Sequence, residues 1–356
     1  METSKEELKT PEAKPSIVDT PMAAWPELLE SLGEQSFRAG QLAEWIFVKR
    51  ATSFEKMSNL PAPLRTKLAE KYTVRSLEID SAKTSTIDGT TRYFYKTRDG
   101  QIVSCVYLPF EDRQSLCIST QVGCAWGCVF CASGLVKFER NLTAAEIVDQ
   151  ILLAEAASGK KIDSVLFMGM GEPLGNYLNL VSALNIIRSK FGLNLGARHV
   201  TVSTCGLAPQ IEKLATEAPK VNLAISLHAS NDELRKTLLP KSSKWTIKEL
   251  MNAAKIYSKT TGARVTFEYI VIDGVNDSER DAKRLANLVR GPAEHGDYWV
   301  NLIAYNPVPG LPYKKPSDEK IEAFKEILSM RRVPVRLRKP QGVDIGAGCG
   351  QLGEAR

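Results

Sequence analysis

From Leu116 onward, short apolar runs alternate with stretches of helical periodicity. That alternation limits the fold more than any other feature. Candidate strands are Leu116–Thr120, Ser164–Met168, His199–Ser203, Asn222–Leu227, Val265–Ile272, Tyr298–Ile303 and Val335–Leu337. Strands separated by helix-length segments pair in parallel through crossovers rather than hairpins. Six or so such units predict an α/β fold, a parallel, barrel-like domain. The first helix opens on Thr143-Ala-Ala-Glu146, a capping box, and stops near Gly159. In barrels of this kind the functional residues sit on the loops that follow the strands.

The loop after the first strand carries Cys124-Ala-Trp-Gly-Cys128-Val-Phe-Cys131. Three thiolates at this spacing can hold three irons of a [4Fe–4S] cluster. The fourth iron is left open to a small molecule, here S-adenosylmethionine (SAM) bound by its amino and carboxylate groups. Zinc fits less well, because structural zinc sites use four ligands in paired blocks. The chain has no second C-x-x-C, and His199, His228 and His295 lie far downstream.

Other polar groups fall at strand ends. Gly169-Met-Gly171-Glu172-Pro173 follows the second strand, where glycines let backbone approach a ligand and Glu172 can meet the SAM ammonium. Ser203-Thr204-Cys205-Gly206, Ser226-Leu-His228 and Tyr305-Asn306-Pro307 follow the third, fourth and sixth strands. Each alone reads as a turn; together they converge on one cofactor. Cys117 precedes the cluster run, and Cys349 lies in a glycine-rich segment read as a mobile loop that can carry a thiol into a site. Cys105 and Cys205 read as small buried apolar residues.

The remaining chain divides by composition. Residues 1–22 read as a flexible tail. Residues 23–74 form a small N-terminal helical domain, with Leu28, Leu29, Leu32, Leu42, Trp45, Ile46, Leu60, Leu64 and Leu68 at helical spacing. Its role is a structural cap or an RNA-contacting appendage. Residues 75–112 make a β-hairpin linker turning at Asp99-Gly100, residues 113–340 the barrel, and 341–356 a C-terminal loop. No apolar stretch approaches the roughly 20 residues that span a membrane, and Met1-Glu-Thr-Ser-Lys-Glu-Glu lacks a signal-peptide core. A cytoplasmic setting suits thiol ligands. A net charge of +6 is compatible with an RNA partner. The basic run Met330–Lys339 is a charged strand or a phosphate contact.

These runs, with Arg140-Asn-Leu-Thr143, Gly274-Val-Asn-Asp277 and Asp344-Ile-Gly-Ala-Gly-Cys-Gly-Gln-Leu352, closely resemble the RlmN/Cfr family of radical SAM RNA methyltransferases over residues 23–356. The resemblance implies a partial (βα)6 radical SAM barrel. It implies methylation of an adenine carbon in RNA: C2 of adenosine 2503 in 23S rRNA, often with adenosine 37 of tRNA, or C8 in the Cfr branch. Glu172-Pro173 favours C2. It assigns Cys124, Cys128 and Cys131 to one [4Fe–4S] cluster. Gly171, Glu172, Ser203, Ser226, Leu227, His228 and Asn306 match SAM-contacting positions. Cys349 becomes the S-methylcysteine intermediate, and Cys117 resolves it by disulfide formation. Two SAM per turnover, an electron donor such as flavodoxin and a monomer are also implied. The family's usual glutamate before the resolving cysteine is Ser104 here, which leaves the proton acceptor open among Glu111, Asp112 and water. A rival reading is a catalytically silent, cluster-bearing RNA-binding protein, for which two lone cysteines would be superfluous.

Overall fold

The computed structural model describes residues 14–290 and 298–353. One compact unit ends at Ser76 and a second begins at Leu77. Of the expected flexible tail, residues 1–13 lie outside the described residues. Residues 14–22 do not fit that expectation: Ile17 and Val18 are buried, and Ile17 N donates to Thr73 O at 2.9 Å. Two apolar side chains sufficed to pin a proline-rich segment that composition alone marks as loose.

The first unit contains helices α1 (Trp25–Ser31), α2 (Arg38–Ala43) and α3 (Ala62–Lys71). The leucines at helical spacing turn inward: Leu29, Leu42, Leu64 and Leu68 are fully buried, and Trp25 stacks on Phe47 at 6.1 Å. A π-helical turn, Glu44–Val48, continues α2.

The second unit opens with three antiparallel strands, β1 (Leu77–Thr84), β2 (Thr91–Thr97) and β3 (Ile102–Pro109). The β2–β3 hairpin stands where expected. Strand β1 was not foreseen, because its Leu-Glu-Ile-Asp-Ser-Ala-Lys-Thr sequence has little apolar alternation. It is an exposed edge whose charges and polar side chains discourage further pairing.

Strand β4 (Gln114–Cys117) pairs antiparallel with β3 and parallel with the next long strand, so the sheet changes sense there. A two-stranded ribbon, β5 (Gln121–Val122) with β6 (Arg140–Asn141), brackets the cysteine run. Then α4 (Ala144–Ser158), β7 (Ser164–Phe167), α5 (Tyr177–Arg188), β8 (Val200–Thr204), α6 (Ala208–Glu217), β9 (Asn222–Ser226), α7 (Asp232–Leu238), α8 (Ile247–Thr261), β10 (Val265–Val271), α9 (Glu279–Arg290), β11 (Tyr298–Ala304), α10 (Asp318–Met330) and β12 (Val335–Arg338) follow. Strands β4 and β7 to β12 run parallel in sequence order, and among the described residues neither β1 nor β12 has a second neighbour. The sheet is therefore open, a partial barrel. Leu116, Val165, Val202, Leu223, Phe267 and Val300 are fully buried along it. Such runs are what strands covered on both faces require.

Helix α4 shows how local sequence sets this frame. Thr143 Oγ1 accepts from Glu146 N, the Glu146 carboxylate accepts from Thr143 N, and Gly159 ends the helix in the left-handed region. Arg140, at the start of this segment, holds Glu146 through two bonds of 2.7 and 2.8 Å, and Asp99 of the β2–β3 turn through two of 2.7 Å.

Candidate active site

The cysteine run crosses the mouth of the sheet between β5 and β6. Val129 N donates to Leu238 O at 3.1 Å and Lys241 Nζ to Ala125 O at 2.5 Å, so α7 and the loop after it fasten the run from one side. Cys131 N donates to Cys128 O, closing a turn over the last two thiols. Cys124, Cys128 and Cys131 all line one cavity of about 160 Å³. Burial raises all three thiols above the usual range, so only a cation bound among them would hold them as thiolates. Among the described residues no three His, Cys, Asp or Glu gather tightly enough to hold a single ion. The three thiols lining one cavity suit the three protein ligands of a [4Fe–4S] cluster.

The same cavity is lined by Gly169, Gly171, Glu172, Ser203, Ser226 and His228, from three strand ends. Gly171 has φ of +95°, and a Cβ there would come within 2.5 Å of the Gln121 side chain, so only glycine lets this turn close. Glu172 is buried. Its carboxylate accepts from Leu174 N at 2.9 Å and Cys205 N at 2.7 Å, while burial holds its pKa above the usual carboxylate range. His228 is buried with φ of +54°, and its Nδ1 accepts from Ile270 N at 3.1 Å. Burial pushes the imidazole down to about 3, with Arg235 adding to the shift. The ring is therefore neutral, with its proton on Nε2. The edge of Phe130 packs against it, 5.1 Å between centroids.

Leu227 and Asn306 stand apart from this group. The Leu227 side chain is fully buried and lines neither cavity, though its N–H donates to Glu268 O at 3.1 Å. Asn306 lines a second cavity, of about 90 Å³, with Cys117, Met168, Arg338 and Cys349. Cys131, Cys349 and Arg338 border both spaces, so the two are adjacent.

Cys117 and Cys349, far apart in sequence, thus face one cavity. Burial pushes the Cys117 thiol up to about 12, and the charge of Cys349 adds to this. Cys349 is exposed. The segment carrying it, read from sequence as a mobile loop, is held by many bonds. Asn306 Nδ2 donates to Cys349 O at 3.0 Å, Ala132 N to Gly350 O at 2.7 Å, Arg92 Nη1 to Gly346 O at 2.8 Å and Gln351 Nε2 to Pro307 O at 2.9 Å. Ser133 Oγ also donates to Leu352 O. A Cβ at Gly348 would meet Gln351 Oε1 at 2.7 Å. These glycines permit close backbone contact rather than motion.

Comparison with known proteins fits this geometry. Residues 118–286 match the radical SAM superfamily, and residues 17–74 match the ribosomal RNA large subunit methyltransferase N-terminal domain. A dual-specificity RNA methyltransferase RlmN from Anaeromyxobacter sp. (strain Fw109-5) is 44% identical over 351 residues, covering 96% of this chain and 91% of the relative. A probable dual-specificity RNA methyltransferase RlmN from Clostridium perfringens (strain SM101 / Type A) is 41% identical, covering 95% and 96%. The chain belongs to the RlmN family of radical SAM RNA methyltransferases. A radical SAM methyltransferase from Sphaerobacter thermophilus has the same fold, with a TM-score of 0.89, 42% identity and coverage of 95% of this chain and 98% of that one. Membership in a radical SAM family implies a [4Fe–4S] cluster and SAM. The three thiols and the polar strand ends suit both.

Sequence reasoning missed Arg338 and Glu268. Arg338 was read only as one charge of a basic run, yet it borders both cavities. Glu268 lines the first from the middle of an apolar strand. Neither carries a motif; only sheet order brings them in. Ser104 is buried and its hydroxyl has no hydrogen-bond partner. Glu111 and Asp112, expected as alternative proton acceptors, are exposed and line neither cavity.

Proposed function

We propose that this RlmN-family enzyme methylates C2 of adenosine in RNA, with 23S rRNA and tRNA as substrates, through an S-methylcysteine at Cys349 that Cys117 resolves. The observation that carries the reading is the shared cavity of Cys117 and Cys349, adjacent to the one lined by Cys124, Cys128 and Cys131, with Cys349 bordering both. An electron-poor C2–H carbon cannot displace a methyl group as a nucleophile, so the methyl must first rest on the protein. Cys124, Cys128 and Cys131 would hold the cluster, which would supply the electron that makes radical chemistry available at that methyl. The rest falls to this chain's side chains. Glu172, Ser203, Ser226 and His228 orient SAM. Cys349, fixed through its carbonyl by Asn306, presents its sulfur to both cavities. Once the Cys349 methyl carbon is bonded to the adenine, the Cys117 thiolate attacks the Cys349 sulfur; a disulfide forms, the sulfur–carbon bond breaks with its electron pair passing to the carbon and the adenine ring, that carbon takes a proton to become the methyl group, and methylated RNA leaves. The target base must be extruded from its stack to reach this depth. The relatives' name, dual-specificity RNA methyltransferase, supports two RNA substrates.

Mass spectrometry of nucleosides from 23S rRNA and tRNA, with the gene deleted and restored, tests this. Loss and return of 2-methyladenosine in both RNAs is expected. A change in 8-methyladenosine instead would move the chemistry to C8. Cys117→Ala should accumulate a covalent enzyme–RNA adduct, and its absence would remove Cys117 from the resolving role.

A further inference from the structure

The last residue of β12, Arg338, was no part of the expected site. Its guanidinium borders both cavities, with Nη1 3.5 Å from Met168 Sδ and 3.6 Å from Glu268 Oε2. Glu268 sits in the middle of β10, only 3% exposed. Its Oε1 accepts from Asn301 Nδ2 at 2.8 Å and Thr266 Oγ1 at 3.1 Å. Among the described residues its Oε2 has no hydrogen-bond partner and meets the guanidinium as its ion-pair neighbour. A buried carboxylate tied down at one oxygen and turned at the other toward a cation fixes where that cation points. Arg338 lines the cavity that Cys117 and Cys349 also line.

We propose that Arg338, oriented by Glu268, is a positioning residue that supplies the positive charge for the Cys117–Cys349 pair from the wall of the cavity that both thiols line. Cys349 first, and Glu268 with it, favour the charged guanidinium in return. The titratable and charged groups acting on Cys117 are Cys349 from the C-terminal loop, Arg338 from β12 and Cys105 from β3. Arg338 is the cation among them, and it opposes the effect of burial. Both roles given to these thiols above require thiolate; the importance of the charge for turnover rests on that reading, but the charge itself does not.

The test uses full-length, cluster-loaded protein under anaerobic conditions, with cluster absorbance checked for each variant. Cys117 alkylation is followed by peptide mass spectrometry with neutral iodoacetamide and anionic iodoacetate. In Arg338→Met, iodoacetamide labelling at fixed pH should fall about tenfold, the effect of one unit in a thiol's titration. The iodoacetate-to-iodoacetamide ratio should fall as well, because an anionic reagent loses its attracting charge. A purely structural role would slow both reagents alike. Arg338→Lys should restore most of both values, and Glu268→Gln should lower them severalfold by releasing the guanidinium. Wild-type rates and ratio in Arg338→Met would overturn the proposal. Should that variant fail to fold, equal ratios in wild type, Arg338→Lys and Glu268→Gln would overturn it instead. If Cys117→Ala completes turnover, the methylation reading fails while the alkylation pattern still decides the role of Arg338.

Discussion

Glu172 and His228 show how one side chain can serve both fold and ligand. Each is buried, each satisfies backbone N–H groups, and each still lines the cavity. Glu172→Gln would turn an amide N–H₂ toward the Leu174 or Cys205 N–H. It should lower stability by about 1–3 kcal/mol in urea unfolding, the cost of an unsatisfied buried group. His228 adds a pH dependence. Its folded pKa lies below its unfolded value near 6.5, so its contribution is complete above that value and declines as pH falls toward about 3. Between pH 7.5 and 5.5 the wild type should lose about 1 kcal/mol more than His228→Asn, a variant that tolerates the positive φ. Equal losses in the two proteins would show that the imidazole titrates normally.

At the scale of elements, the frame rests on signals that sequence carries openly. The Thr143–Glu146 capping box and the Gly159 stop were legible, and α4 begins and ends on them. Thr143→Ala should cost about 1 kcal/mol, with the denaturant slope unchanged. Arg140→Met should cost more than that, because it leaves the buried Glu146 carboxylate and the β2–β3 turn without their shared cation. Chemical denaturation of both variants ranks the two effects. The seven parallel strands were legible as apolar runs, to within a few residues at their ends, because covered strands tolerate few polar residues. Strand β1 was not, because an exposed edge pairs through its backbone and leaves no apolar period in its side chains.

Over the whole molecule, the parallel sheet holds together without the cofactor site. Its core of Leu116, Val165, Val202, Leu223, Phe267 and Val300 is buried by helices and neighbouring strands. Removing iron with a chelator under anaerobic conditions should therefore bleach the cluster absorbance while far-UV circular dichroism changes little. A cooperative loss of helix signal on chelation would mean that the cluster is structural. What the sequence determined alone is what repeats or has fixed spacing: the strand–helix alternation, the caps, the C-x3-C-x2-C run and the polar residues at strand ends. Each depends on chemistry within a few residues. Tertiary structure decided what depends on distant segments meeting. It brought Cys117 and Cys349 to one cavity, clamped a glycine-rich loop that sequence read as mobile, and turned Arg338 from a surface charge into a site residue held by Glu268. Glycine marks both freedom and close contact, and arginine both solvated strands and buried junctions. Only the neighbours that folding supplies distinguish these cases.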